Sequence, residues 1–204
     1  MIRRTMNIYL SIPHKEDAMQ IETMQELYVD VLKDLYDAEQ QILKALPKMA
    51  KAANSEELRD GFQEHLAQTQ IHVERLDQVF EQMGETAKRK KCKAIEGLLE
   101  EGKELMESVS DPEVLDAGLI AAAQKVEHYE IATYGCARTY AELLDQEGAS
   151  GLLQETLDEE KLTDEKLTEL AVSQINLEAA EEGAEASEAQ PMTRKRPTAR
   201  GRKK

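Results

Sequence analysis

Tryptophan is absent from this 204-residue chain, aromatics make up only 4%, and cysteine occurs twice, at Cys92 and Cys136. Glycine and proline number 10 and 5. No apolar run approaches the roughly 18 residues that a membrane helix needs. These scarcities exclude a collagen-like chain, a disulfide-stapled scaffold and a helical membrane protein. Two cysteines make no disulfide framework and point to a reducing cytoplasm. What is present is 41% hydrophobic residues, enough for one core, among abundant Ala, Glu, Lys, Leu and Gln. Those are strong helix formers, so the expected class is all-α.

The formal net charge is −15, from 41 acidic and 26 basic residues. Seven of the basic ones (Arg194, Lys195, Arg196, Arg200, Arg202, Lys203, Lys204) fall between Thr193 and Lys204 with no acid among them. The preceding 192 residues therefore carry 19 basic against 41 acidic groups, a formal −22. An acidic body repels nucleic acid, so any such contact belongs to the basic C-terminal tail. Residues 178–204, acidic and then basic, read as a disordered tail that cannot bury a core. Residues 1–21 read as an arm: Arg3-Arg4 lacks the apolar run of an export signal, and a cytoplasmic protein is expected.

Between these ends the apolar residues recur at helical spacing. Met24, Leu27, Val31, Leu35, Ala38, Ile42, Leu46 and Met49 mark one face of a helix over 22–53, with Pro47 inside it as a site for a kink. Ser55 caps a second helix that carries Phe62, Leu66, Thr69, Val73, Leu76 and Phe80 as far as Gly84. A shorter helix spans 94–107. Asp111 and Pro112 open a third long helix, as N-cap and first helical residue, reaching about Gln146. Gly148-Ala149-Ser150-Gly151 reads as a turn, and the fourth long helix as 152–180. Two hairpins joined by a long link, with a short extra helix on it, suit a ferritin-like four-helix bundle over 22–177 with one crossover.

Sliding the chain on itself by 91 residues matches Phe62-Gln63-Glu64-His65-Leu66 with Leu153-Gln154-Glu155-Thr156-Leu157, and Glu74-Arg75-Leu76 with Glu165-Lys166-Leu167. The same offset lays Glu39 on Glu130. One offset serving both hairpins predicts a duplicated hairpin and a pseudo-two-fold bundle.

Several polar residues fall where a core expects apolar ones. At about 100° per residue, Glu127, Glu130 and Glu160 lie on inner faces, Glu39 at an inner edge, Glu159 well to the side, and His65 and His72 beside the central Thr69. Buried carboxylates are costly unless paired or coordinated. A two-metal bundle takes a Glu from each of two helices and Glu-x-x-His from each of the others. Here Thr69-x-x-His72 and Glu160-x-x-Thr163 each keep one half of that motif. Oxygen-rich ligands with few nitrogens suit two ions of iron or manganese. The bland alternatives stand beside this reading: a hydrogen-bonded core histidine, glutamates paired with lysine, and Tyr134 as packing. His128 points outward. Cys92 lies among Lys88, Arg89, Lys90, Lys91 and Lys93, which would favour its thiolate, although a free structural cysteine is the commoner case. Cys136 is expected in the core.

The stretches Tyr36-Asp37-Ala38-Glu39, Lys91-Cys92-Lys93-Ala94-Ile95-Glu96-Gly97-Leu98-Leu99-Glu100-Glu101, Gln124-Lys125-Val126-Glu127-His128-Tyr129-Glu130 and Thr156-Leu157-Asp158-Glu159-Glu160-Lys161 resemble the YciF/YciE family of bacterial ferritin-like proteins, over about 24–172. The resemblance implies a homodimeric bundle linked to general stress responses and a rubrerythrin-like dinuclear site. Glu39, Glu127, Glu130, Glu159 and Glu160 match the family's acidic positions. Gln68 departs from a common Glu, and His72 stands where Gln is frequent. Two functions follow as expectations: an iron or manganese protein that handles oxygen or peroxide, or a non-catalytic bundle that acts through partners with its metal site degenerate.

Overall fold

A computed structural model describes residues 20–181, so most of the N-terminal arm and the basic tail lie outside the described residues. Those described form helices α1 (Met24–Ala52), α2 (Glu56–Gln82), α3 (Lys93–Ser108), α4 (Pro112–Leu143) and α5 (Glu147–Leu170), with no strand among them. The helical backbone continues beyond α5 through a wider π-type turn, Ala171–Ile175. None of these helices is long and apolar enough to cross a membrane.

The starts of three helices are set by side chains that satisfy free backbone N–H groups. Thr23 and Glu26 form a reciprocal capping box at α1. Ser55 caps α2 and Asp111 caps α4, with Pro112 opening the latter as expected. Gly84, at φ +67°, ends the α2 hairpin arm. Pro47 sits inside α1 without terminating it.

α1 packs against α2 and α4 against α5 as two hairpins, α2 meets α5 and α1 meets α4 across the bundle, and α3 lies on α1 and α4 along the crossover. The offset of 91 recurs in the helix ends themselves: α1 stops at Ala52 and α4 at Leu143, while α2 begins at Glu56 and α5 at Glu147. Each hairpin therefore turns on three residues.

Two sequence-based expectations are corrected, one of them at the turn of the second hairpin. Gly148 to Gly151 are helical, and the chain reverses at Leu144–Gln146, with Asp145 in the left-handed region at φ 55°. Short polar side chains tolerate that conformation, so no glycine was required there. Cys136, expected in the core, is exposed. Its neighbour Ala137 is the residue that packs inward.

The apolar core is divided in two. One cluster gathers Ile42, Leu46, Leu58, Phe62, Leu119, Ala123, Leu167 and Ile175. The other gathers Leu32, Leu35, Leu76, Phe80, Tyr134, Ala141, Leu153 and Leu157. Along every long helix polar residues lie between the two sets: Glu39 on α1, His65, Thr69 and His72 on α2, Glu127 and Glu130 on α4, Glu160 on α5. All seven are buried.

Candidate metal centre

The polar layer assembles into two groups that share one residue. His65, Glu127, Glu130 and Glu160 each place a ligating atom within 4.8 Å of the others, and so do Glu39, His72 and Glu160. The structure thus brings together six of the seven side chains predicted from the sequence. Glu160, from the centre of the α5 inner face, is common to both groups. Glu39 and Glu130, equivalent under the duplication, are each fully buried.

The seventh, Glu159, takes a different position. Its Oε2 lies 2.9 Å from His72 Nε2, and it receives two hydrogen bonds from Arg75, at 2.6 and 2.8 Å. It belongs to neither group. The other ring nitrogen, His72 Nδ1, faces inward, 2.9 Å from Glu160 Oε1 and 3.6 Å from Glu39 Oε1. A carboxylate on one imidazole nitrogen that leaves the other to face a cluster of oxygens is the usual arrangement around a metal-binding histidine. Arg75 was not anticipated. It lies one turn beyond His72, and the duplication aligns it with Lys166, which faces solvent, so no sequence signal marked it.

The ligating atoms are close to one another yet largely unbonded. His72 Nδ1 and Glu160 Oε1, despite their 2.9 Å separation, are not aligned as donor and acceptor. His65 Nε2 approaches Glu127 Oε1 to 3.3 Å at an equally poor angle. Both oxygens of Glu130 and of Glu160, Glu39 Oε2, Glu127 Oε2 and both nitrogens of His65 lack a hydrogen-bond partner. Buried polar atoms are nearly always satisfied. A set that converges on common points instead of on one another fits two cations, and four ionised carboxylates balance two divalent charges beside neutral imidazoles. The residues therefore fit the dinuclear group that the family resemblance implies.

Without ions the same groups compete for protons. Burial, reinforced by neighbouring carboxylates, pushes Glu127 and Glu130 well above the usual carboxylate range. Burial also raises Glu39, to about 8, against the pull of His72. Burial alone would lower His72, but Glu160, Glu39 and Glu159 outweigh it and raise the imidazole to about 9. Glu160 is driven up by burial and down, on balance, by the two histidines. Burial lowers His65. Without ions the shifts thus favour charge on His72 and Glu160 and protons on Glu39, Glu127 and Glu130.

Two aromatic side chains border the layer. Tyr134, expected as packing, does pack, and its hydroxyl also donates to Glu39 Oε1. Thr69, central on α2, turns away and donates to the His65 carbonyl at 2.8 Å. Tyr129 donates to Asp34 at 2.6 Å, and its oxygen lies 3.1 Å from Cys92 Sγ. Cys92 is fully buried and burial raises its thiol, which opposes the thiolate that its cationic neighbours would favour and agrees with the commoner case, a free structural cysteine. Three of the surrounding cations are engaged by carboxylates: Arg89 by Asp37, Lys90 by Asp30 and Lys91 by Glu96. Cys92 is structural, with its backbone N–H anchored on Asp37 at 2.9 Å. His128 is exposed, as predicted.

Residues 23–180 match the family model described as "Domain of unknown function (DUF892)". Protein YciF of Escherichia coli (strain K12) is 49% identical over 162 residues, which are 79% of this chain and 98% of that protein. Its crystal structure, described as that of a stress protein, superposes with a TM-score of 0.74 at 50% identity, covering 76% of this chain and 99% of that one. YcfI from Rhodopseudomonas palustris gives a TM-score of 0.73 at 44% identity, covering 74% of this chain and 96% of that one. A two-domain protein from Anabaena variabilis that contains a ferritin-like domain aligns at 18% identity with a TM-score of 0.52, covering 88% of this chain and 42% of that one. That last likeness speaks to the fold alone.

Proposed function

The chain belongs to the DUF892 family, the family of YciF, and from that premise we propose that it is a stress-associated protein holding two iron or manganese ions, acting on oxygen or peroxide. The observation that carries this reading is the shared Glu160: one buried carboxylate stands in both ligand groups, with neither of its oxygens hydrogen-bonded. Glu39 and His72 would hold one ion, His65, Glu127 and Glu130 the other, with Glu160 between them. Such a pair of ions supplies Lewis acidity and one-electron chemistry. The chain's own residues do the rest. Glu159 and Arg75 keep His72 Nδ1 turned inward, Tyr134 fixes Glu39 by a hydrogen bond, and the apolar cluster around Leu35, Phe80 and Leu153 closes the layer on that side.

The test is anaerobic Fe(II) titration with metal analysis of protein purified without chelators. Two ions per chain are expected, falling in a Glu130→Ala variant. Fewer than one ion per chain in the wild type, unchanged by Glu130→Ala, would overturn the reading. A homodimer is part of the proposal and is checked by light scattering.

One observation favours a second reading, a non-catalytic bundle acting through partners. The raised acids and the His72–Glu160 pair give the layer a nearly neutral state without metal. A melting temperature indifferent to metal, with no oxidase activity, would select it.

A further inference from the structure

A cavity of about 400 Å³ lies beside the polar layer, bounded by all four long helices and by Leu99 of α3. Its size falls within the roughly 300–1,000 Å³ of small-molecule sites. The walls are apolar, with Ile42, Leu46, Phe62, Val126 and Leu167 prominent, and its inner end reaches His65 and Glu127. Those two residues bring buried atoms without partners, His65 Nδ1 and Glu127 Oε2 among them. A second cavity of about 290 Å³, under α3, shares Ala45, Met49, Leu99 and Val126 with the first and touches none of the ligating residues. Of these two only the first meets the site.

The outer end is acidic. Glu57, Asp60 and Glu64 of α2 line it against a single cation, Lys166, already paired with Glu64 at 2.9 Å. An anionic ligand would be repelled there. Gly61, exposed on α2 between these acids, has nothing within 4 Å of where a Cβ would stand. A helix interior normally disfavours glycine by about 1 kcal/mol relative to alanine. Here the glycine stands at the acidic entrance with open space beside it.

We propose that this cavity binds an uncharged small organic molecule with an aliphatic body and one polar end. The body is desolvated against Ile42, Leu46, Phe62, Val126 and Leu167, and the polar end meets His65 and Glu127. The assignment deepens the function proposed above and rests on it for whatever chemistry follows binding. Binding itself requires no ion.

The experiment uses the full chain, metal-free and metal-loaded, with the uncharged dye Nile red as reporter and 1-octanol or octanoate at pH 8 as competitor. Saturable dye binding, displaced by octanol at a concentration at least tenfold lower than by octanoate, is expected. Gly61→Ala should bind as the wild type does. Gly61→Phe, which fills the entrance, should bind at least tenfold more weakly while its metal content and circular dichroism are unchanged. Amide NMR shifts induced in the wild type by octanol should centre on Ala123, Val126 and Leu167, a readout independent of whether Gly61→Phe folds. Competition by octanoate equal to that by octanol, undiminished binding to Gly61→Phe, or shifts scattered over the outer helix faces would overturn the proposal. Displacement without metal binding would remove the dinuclear reading and keep this site, and metal binding without displacement would do the reverse.

Discussion

Glu159 and Glu160 are adjacent in the chain and face different neighbours. One residue is about 100° of helix, enough to put Glu160 in both ligand groups and Glu159 against Arg75, on the far side of His72. That difference predicts different losses. Glu159→Gln should keep the metal stoichiometry and weaken affinity about 10- to 100-fold, the usual effect of removing a partner that orients a ligand. Glu160→Gln should lower the stoichiometry itself. Chelator competition with metal analysis separates the two, and loss of an ion in Glu159→Gln would make that residue a ligand. Tyr134→Phe tests the other support. It strands Glu39 Oε1 in a fully buried place, and an unsatisfied buried acceptor costs about 1–3 kcal/mol. Urea unfolding of the metal-free protein should show that loss, and an unchanged midpoint would mean the hydroxyl contributes nothing. Of these roles, the inward Glu160 and sideways Glu159 were readable from helical periodicity. The bond from Tyr134 was not, because Glu39 lies 95 residues away and only the packed bundle brings the two together.

At the scale of elements, amphipathic stripes and caps made the four long helices and the crossover helix legible, and polar residues interrupting those stripes marked the layer. The fourth helix began earlier than the glycines suggested, because Gly148 and Gly151 both take helical backbone. A Cβ on Gly148 would meet only the end of the flexible Gln82 side chain, at 2.7 Å, and one on Gly151 nothing within 4 Å, so neither position demands glycine and the helix start is set by tertiary context. The π-type turn at Ala171–Ile175 likewise follows from packing, since both its ends are buried. Asp116 shows how one element closes another. It is buried on α4 and accepts from the backbone N–H groups of Asn54 and Ser55, at 2.8 and 2.7 Å. It therefore holds the α1–α2 turn from across the bundle. Hydrogen bonds to a charged group contribute about 1.5–3 kcal/mol each. Asp116→Ala should destabilise the protein by at least about 2 kcal/mol in urea unfolding, with metal stoichiometry unchanged; a neutral effect would assign the turn to its local sequence alone.

For the molecule as a whole, the acidic composition acts at two places with different consequences. Most of the acid is solvated and bears little on stability, whereas the buried layer ties folding to pH. In the metal-free protein Glu39 is raised from 4.5 to about 8 and His72 from 6.5 to about 9, while Glu127 and Glu130 lie well above 4.5. Each of these binds its proton more tightly folded than unfolded. Each contribution is therefore complete below the unfolded value and is lost as pH climbs through the folded one. His65, lowered by burial, and Glu159 and Glu160, both lowered, work in the opposite sense, but their contributions are complete above about 6.5 and 4.5. Between pH 6.5 and about 9 every changing contribution from the layer thus has one sign, and the metal-free melting temperature should fall across that window. Ions reverse the dependence, because they bind the deprotonated ligands and compete with protons for them. The loaded protein should hold its melting temperature, and the gap between the two forms should widen steadily from pH 6.5 to 9. Differential scanning fluorimetry of both forms in matched buffers measures it. A metal-free curve that is flat or rising there would mean that the buried carboxylates do not hold their protons, and the layer would have to be neutralised in another way.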